Sequence, residues 1–340
     1  MLALKNTRLS AIRLSAGLRK LSTAALASNA VGVVGLGNMG GFMAKNLLKK
    51  GRDVVVYDLS EDAIKNVSEF GASVGRSVVR AKSPADVANQ ADIVVTMLPS
   101  SPHVKEAVTG KDGLLSALPT RKANGRGNLL MIDSSTISPP VSMEISEIVK
   151  KTEGARIVDA PVSGGTMGAE QGTLTFMVGG EKSEFDAAKP VLELMGRNIV
   201  HCGAAGTGQV AKVCNNLLLG ISMAGVSESF NLAKSLGLDE RVFASIVNAS
   251  SGRCWSSDTA NPVPGVMPNT PASREYKGGF GTDLMLKDLR LAVEAASAAG
   301  AQLPMGSRAV DLYASVSESG DGKKDFGVVY KFIESKNKAK

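Results

Sequence analysis

Aromatic side chains are scarce in this chain, with one Trp, four Tyr and nine Phe among 340 residues. A surface that stacks successive bases needs more of them, which argues against nucleic acid as a partner. Histidine is scarcer still, at His103 and His201 only. That count excludes a His-rich metal site. Cys202, Cys214 and Cys254 show no close-paired spacing, which argues against a mixed Cys/His zinc site as well. No metal is expected, and three scattered thiols provide no disulfide framework. No stretch reaches the roughly 18 uninterrupted apolar residues of a membrane span, so no membrane partner is expected.

Acidic residues are also missing from the start of the chain, where the first is Asp53. Ahead of it, Lys5, Arg8, Arg13, Arg19 and Lys20 interleave with Leu9, Ile12, Leu14 and Leu18. An acid-free, Arg-containing, Ser-rich amphipathic segment has the pattern of a mitochondrial transit peptide, expected over residues 1–29 and cleaved between Leu21 and Ala30. The destination this implies is the mitochondrial matrix. Those five charges account for most of the net +7: without them, 34 basic residues face 32 acidic ones. The body of the chain is close to neutral, which removes the electrostatic case for nucleic acid.

Glycine is abundant, at 37 residues, and suits tightly packed α/β layers. Residues 31–34 form a short apolar run, the pattern of a buried parallel strand. A turn at 35–41 leads into a helix over 42–50, closed by Gly51. Further strands are predicted at 54–57, 93–98 and 129–132, with helices between them, and the sheet region extends through 156–158 and 174–178. Strand and helix in alternation make a parallel sheet with helical crossovers. Near Asn198 the pattern changes to helical spacing, over 210–236, 241–249, 284–299 and 305–316. In the first of these, Gly220 and Gly225 are places where another helix can approach. Residues 261–271 read as a proline-rich loop. The expected architecture is a Rossmann-type doubly wound sheet domain, residues 30–198, followed by an all-helical domain, residues 199–340.

The turn Gly35-Leu36-Gly37-Asn38-Met39-Gly40 matches G-x-G-x-x-G. Alone the match is weak, but a strand precedes it, a helix follows, and Asp58 stands 18 residues past Gly40 at the end of the second strand. Gly35 permits the tight turn, Gly37 lets the backbone approach a pyrophosphate, and Gly40 lets helix and strand pack. Unpaired N–H groups of the helix face the phosphates. Asp58 accepts from a ribose 2′-hydroxyl and repels a 2′-phosphate, so the expected cofactor is NAD rather than NADP.

With two histidines available, a base of another type is needed. Lys212 lies early in the long helix, among small and apolar residues, where burial and a neighbouring cation lower a lysine pKa toward the working range. Asn216 lies one turn on and shares its face, while Asn215 points away. Read alone, Lys212 is equally a solvent-facing lysine at a helix start. Ser163, Gly164 and Gly165 follow a strand end, where the hydroxyl and backbone N–H groups can cradle a small carboxylate. An ordinary Ser-Gly turn has the same sequence.

Four blocks in order make the chain resemble the β-hydroxyacid dehydrogenase family. They are Gly35 to Gly40, Asp159 to Gly165, Gly203 to Asn216, and Lys287-Asp288 after Gly279-Phe280. The resemblance implies Lys212 as general acid–base, Asn216 orienting the substrate, and Ser163, Gly164 and Gly165 on its carboxylate. It implies Leu98, Pro99 and Thr136 along the cofactor, with Lys287 near both ligands. His103 stands where many relatives carry Asn beside the cofactor. Trp255 and Phe280 are candidate pocket walls. Residues 251–259 and 261–267 resemble the branch that oxidises 3-hydroxyisobutyrate to methylmalonate semialdehyde in valine breakdown. Rival readings are an NADPH-linked semialdehyde reductase of the same family and a non-catalytic cofactor-binding scaffold. Asp58 and Lys212 argue against them. A homodimer or homotetramer is implied.

Overall fold

The computed structural model describes residues 30–337, so the expected transit segment lies outside the described residues. Strands β1 (Ala30–Val34) and β2 (Asp53–Tyr57) flank helix α1 (Gly40–Lys49). Val33, Val54 and Val56 are fully buried. Apolar runs of this kind need cover on both faces, and helices supply it. Helix α1 stops where Gly51 turns left-handed, at φ 87°. The chain then continues through α2 (Glu61–Ser73), β3 (Val78–Arg80), α3 (Pro84–Gln90), β4 (Ile93–Thr96), α4 (Ser101–Thr109), α5 (Leu118–Ala123), β5 (Leu129–Asp133), α6 (Pro139–Lys150) and β6 (Ala155–Asp159). These six strands are parallel, in the order β3-β2-β1-β4-β5-β6. Two apolar cores lie on the two faces of the sheet. The order reverses between β1 and β4, and doubly wound sheets bind ligands at the carboxyl ends of the strands beside such a switch.

Beyond β6 the sheet departs from the expected parallel pattern. Strands β7 (Val162–Ser163) and β8 (Leu174–Gly179) pair antiparallel, and β8 also meets β6 antiparallel. Only ten residues separate β7 from β8, including helix α7 (Gly165–Gln171). A parallel crossover takes a dozen or more. After α8 (Lys182–Leu192), β9 (Gly196–Gly203) returns parallel to β8 and runs past Asn198, where the strand pattern was expected to end. Its exposed Arg197 and Asn198 hide the apolar periodicity of an edge strand. Strand β3 has no sequence signal either, being three residues at the opposite edge.

The remaining elements are helical: α9 (Thr207–Ser235), α10 (Glu240–Asn248), α11 (Trp255–Asp258), α12 (Thr282–Ala299), α13 (Pro304–Val316) and α14 (Val329–Ser335). The four predicted helices stand within three residues of their expected ends. Helix α9 is long and apolar enough to cross a membrane by length and composition. Its buried Gln209, Lys212, Asn216, Ser227 and Asn231 instead face protein, as in a core helix. Gly220 is the expected point of close approach, since a Cβ there would lie 3.0 Å from Leu289 and 3.1 Å from Met285 on α12. Gly225 is not such a point, because open space surrounds it.

Candidate active site

The dinucleotide turn is built by steric necessity. Gly35 has φ 92° and donates its N–H to the Tyr57 carbonyl at 2.9 Å. A Cβ on it would sit 2.3 Å from the Met97 carbonyl oxygen, and one on Gly40 would sit 2.0 Å from the Gly35 carbonyl oxygen. Gly37 faces open space, with no atom within 4 Å of where its Cβ would be. Helix α1 has no side-chain cap and no acid in its first turn, which leaves its N–H groups to an anion. Leu36 is buried, Asn38 exposed, and Met39 packs on the sheet core. Asp58 closes the turn, its carboxylate accepting from the Leu36 N–H at 2.5 Å and the Ser60 N–H at 2.7 Å. An open glycine backbone, free helix N–H groups and an oriented carboxylate fit a dinucleotide.

Gly35 abuts Leu98, whose N–H donates to Ser135 Oγ at 2.9 Å, beside Thr136. Pro99 is next to it in the chain, at the carboxyl end of β4. His103 lies in the first turn of α4, where Pro102 is tolerated early in a helix. Its Nδ1 is 2.7 Å from Ser100 Oγ, and its ring is exposed at the carboxyl end of β4.

Lys212 is buried at 7 % exposure, which decides against the solvent-facing alternative. Its Nζ donates to Asn216 Oδ1 at 3.0 Å, and Asn216 Nδ2 donates to Asp288 Oδ2 at 2.5 Å. Asn215 Nδ2 also donates to Asn216 Oδ1, at 3.0 Å, so it supports the site from outside. Lys287 Nζ lies 3.1 Å from Asp288 Oδ1 and donates to the Thr136 carbonyl at 2.8 Å. Burial lowers the Lys212 pKa; Asp288 pulls it back up and Lys287 pushes it down. One polar chain thus runs from Thr136 beside the cofactor turn to the lysine. Asp288 is the member that sequence reasoning left without a role. Its signal was a carboxylate on the helix face shared with Met285, Leu289 and Ala292, all buried.

Ser163 ends β7, and Gly164 and Gly165 follow at φ 130° and 62°, exposed at the start of α7. Phe280 donates its N–H to Asp325 at 2.8 Å and stacks edge-on to Phe326. Trp255 is half exposed. His201 Nε2 meets the Gly180 carbonyl at 2.8 Å and its ring stacks on Phe185, a packing role.

Residues 30–203 match the family model described as the NAD binding domain of 6-phosphogluconate dehydrogenase. Residues 206–333 match that described as NAD-binding of NADP-dependent 3-hydroxyisobutyrate dehydrogenase. The human mitochondrial 3-hydroxyisobutyrate dehydrogenase is 51 % identical over 89 % of this chain and 86 % of its own length. A probable mitochondrial 3-hydroxyisobutyrate dehydrogenase of Dictyostelium discoideum is also 51 % identical, over 93 % and 94 % of the two chains. The chain belongs to the 3-hydroxyisobutyrate dehydrogenase family. Among solved structures, Mycobacterium tuberculosis 3-hydroxyisobutyrate dehydrogenase with L-serine superposes with a TM-score of 0.81 at 39 % identity, covering 90 % of this chain and 99 % of that one. This family member is an NAD-dependent hydroxyacid dehydrogenase.

Of two buried carboxylates at the strand ends, Asp159 caps its lysine helix and Asp133 holds the Ser135 segment that this helix meets through Gln209. Asp159 accepts from the N–H groups of Gly206 at 2.7 Å and Gln209 at 3.0 Å, capping α9 from β6. The Gln209 side chain donates to the Ser135 carbonyl at 2.8 Å and accepts from the Ile137 N–H at 3.1 Å. Asp133 accepts from Thr96 Oγ1 at 2.7 Å and the Ser135 N–H at 3.1 Å. Burial raises its pKa from 3.8 to about 6. A carboxyl that protonates more easily when folded favours the fold at acid pH, and that contribution is lost as pH rises through 6. Two pKa units correspond to roughly 3 kcal/mol. Asp133→Asn removes the titration, so the stability of the variant relative to wild type is expected to grow by up to that amount between pH 4 and pH 7.5. Urea unfolding at the two pH values measures it, and a pH-independent difference rejects the assignment.

Proposed function

We propose that this protein oxidises 3-hydroxyisobutyrate to methylmalonate semialdehyde, with Lys212 as the base. The observation that carries the reading is a buried lysine tied through Asn216 to Asp288, at the end of a polar chain from Thr136. Lys212 Nζ takes the proton of the substrate hydroxyl. NAD, when held in the turn, would supply the acceptor for the hydride that leaves the carbon bearing that hydroxyl as this carbon becomes the carbonyl carbon. Asp288 offsets the positive charge gained by Lys212, and Asn216 orients the substrate oxygen. Ser163, Gly164 and Gly165 hold the carboxylate. The turn Gly35-Leu36-Gly37-Asn38-Met39-Gly40 takes the pyrophosphate and Asp58 the ribose, while Leu98, Pro99, His103, Thr136 and Lys287 line the nicotinamide side. L-Serine, the compound that accompanies the mycobacterial relative, is itself a small 3-hydroxy acid, which supports that substrate class.

The names of the relatives and the acid-free segment at residues 1–29 support a mitochondrial, matrix location and a place in valine breakdown. N-terminal sequencing of the organelle protein tests the targeting; a chain starting at Met1 rejects it. Exposed Leu232 and Leu236 at the end of α9, with Val242 and Ile246 on α10, support a homodimer or homotetramer. A monomeric mass by light scattering rejects that. The division of labour follows the fold, with the sheet part holding NAD and the helical part closing the substrate site and joining subunits. The decisive assay is a panel of small 3-hydroxy acids and semialdehydes with NAD and NADP. Highest kcat/KM is expected for 3-hydroxyisobutyrate with NAD. Faster NADPH-linked semialdehyde reduction, or no turnover at all, overturns the reading.

A further inference from the structure

Helix α7 is a weak element by its own sequence. It has seven residues, Gly165-Thr-Met-Gly-Ala-Glu-Gln, two of them glycine. Helices this short do not persist without tertiary contacts, and glycine lowers helix propensity further. Only Gly168 and Ala169 are buried, so little apolar area holds α7 down. Its main neighbour is α1, the helix that begins at the dinucleotide turn.

One side chain joins the two. Asn46, on α1, is 5 % exposed and donates its Nδ2 to the Ala169 carbonyl in the last turn of α7. Such carbonyls have no partner within the helix. Among the described residues, the other donor to this one is the Gly172 N–H, at a long 3.4 Å. Asn46 also sits beneath Gly172, where φ is 67° and a Cβ would lie 3.3 Å from Asn46 Oδ1. An asparagine in the otherwise apolar buried face of α1, among Met43, Ala44, Leu47 and Leu48, costs stability unless it is bonded. Its position six residues after Gly40 places it in the same rigid helix as the turn.

We infer that Asn46 is a positioning residue that sets the Ser163-Gly164-Gly165 loop at a fixed distance from the dinucleotide turn. The inference rests on the proposed role of that loop in holding the substrate carboxylate. Asn46 touches neither substrate nor cofactor. It acts through α7, whose first residue is Gly165. Substrate affinity is therefore expected to depend on Asn46, and dinucleotide affinity is not.

Asn46→Ala is expected to raise the substrate KM about tenfold, the equivalent of 1.4 kcal/mol, with the NADH Kd from fluorescence titration within twofold of wild type. An unchanged KM in the folded variant, or a Kd that weakens in step with KM, overturns the inference. Ser163→Ala is run alongside. If its KM is unchanged, the substrate-loop reading fails, and the inference with it; if its KM rises while that of Asn46→Ala does not, the tie alone fails. Should Asn46→Ala not fold, hydrogen exchange of the wild-type protein without ligand decides. A seven-residue helix held by Asn46 is expected to exchange slowly at residues 168–173, because so short a helix is protected only when it is tied down. Exchange there at the rate of an unstructured peptide overturns the tie.

Discussion

Replacing Lys212 with alanine is expected to lower turnover by roughly 10³-fold, within the range for loss of a positioned acid–base group, while NADH binding stays within twofold. The lysine is 7 % exposed and its Nζ donates to Asn216 Oδ1, which leaves the amine two further positions from which to exchange a proton with substrate. Asn216 keeps its bonds to Asn215 and Asp288 in the variant, so the site is not expected to collapse. Arginine does not rescue it, because a guanidinium does not deprotonate in this range. The pH dependence has a definite sign. Burial lowers the Lys212 pKa, and oxidation needs the neutral amine. kcat/KM for oxidation falls as pH drops through that lowered value, and for the reverse reduction it falls as pH rises through it. Steady-state rates in both directions measure this. Near-normal turnover in Lys212→Ala rejects the mechanism.

Asp58→Ala is expected to raise the KM for NAD by roughly 10- to 100-fold and to erase most of the preference over NADP. A hydrogen bond to a charged group is worth about 1.5–3 kcal/mol, and tenfold in affinity is 1.4 kcal/mol. Both carboxylate oxygens are held by backbone donors, at Leu36 and Ser60, so the charge is fixed in place before any ribose arrives. Its removal also takes away the repulsion that a 2′-phosphate would meet. The loss thus falls on NAD, whereas NADP binds as well as before or better. Rates with both cofactors, for wild type and variant, measure the ratio. A wild-type preference for NADP, or an unchanged ratio in the variant, contradicts the role given to Asp58.

Much of the fold was legible because its signals are local. The run at β1, the glycines of the turn and the 3.6-residue spacing of α9, α10, α12 and α13 each lie within one element. The shared face of Lys212 and Asn216 is likewise a matter of four residues on one helix. Strands β3 and β9 were less visible, since a short or edge strand with one wet face carries little apolar pattern. The direction of β8 was not visible at all. It depends on how a ten-residue connection packs, and apolar periodicity is the same in either direction.

The sequence by itself determined the dinucleotide turn, the carboxylate that follows it and the lysine that is the candidate base. Steric demands on glycine and the periodicity of a helix are properties of neighbouring residues. Only the tertiary structure decided that Lys212 is buried, that Asp288 lies behind Asn216 from 72 residues away, and that Lys287 spans 151 residues to the Thr136 carbonyl. It also decided that Asn46 on α1 reaches Ala169, 123 residues on. Burial and charge pairing depend on distance in space, and chain separation does not encode it. The groups around the lysine and the tie between helices α1 and α7 therefore came into view only when the chain was folded.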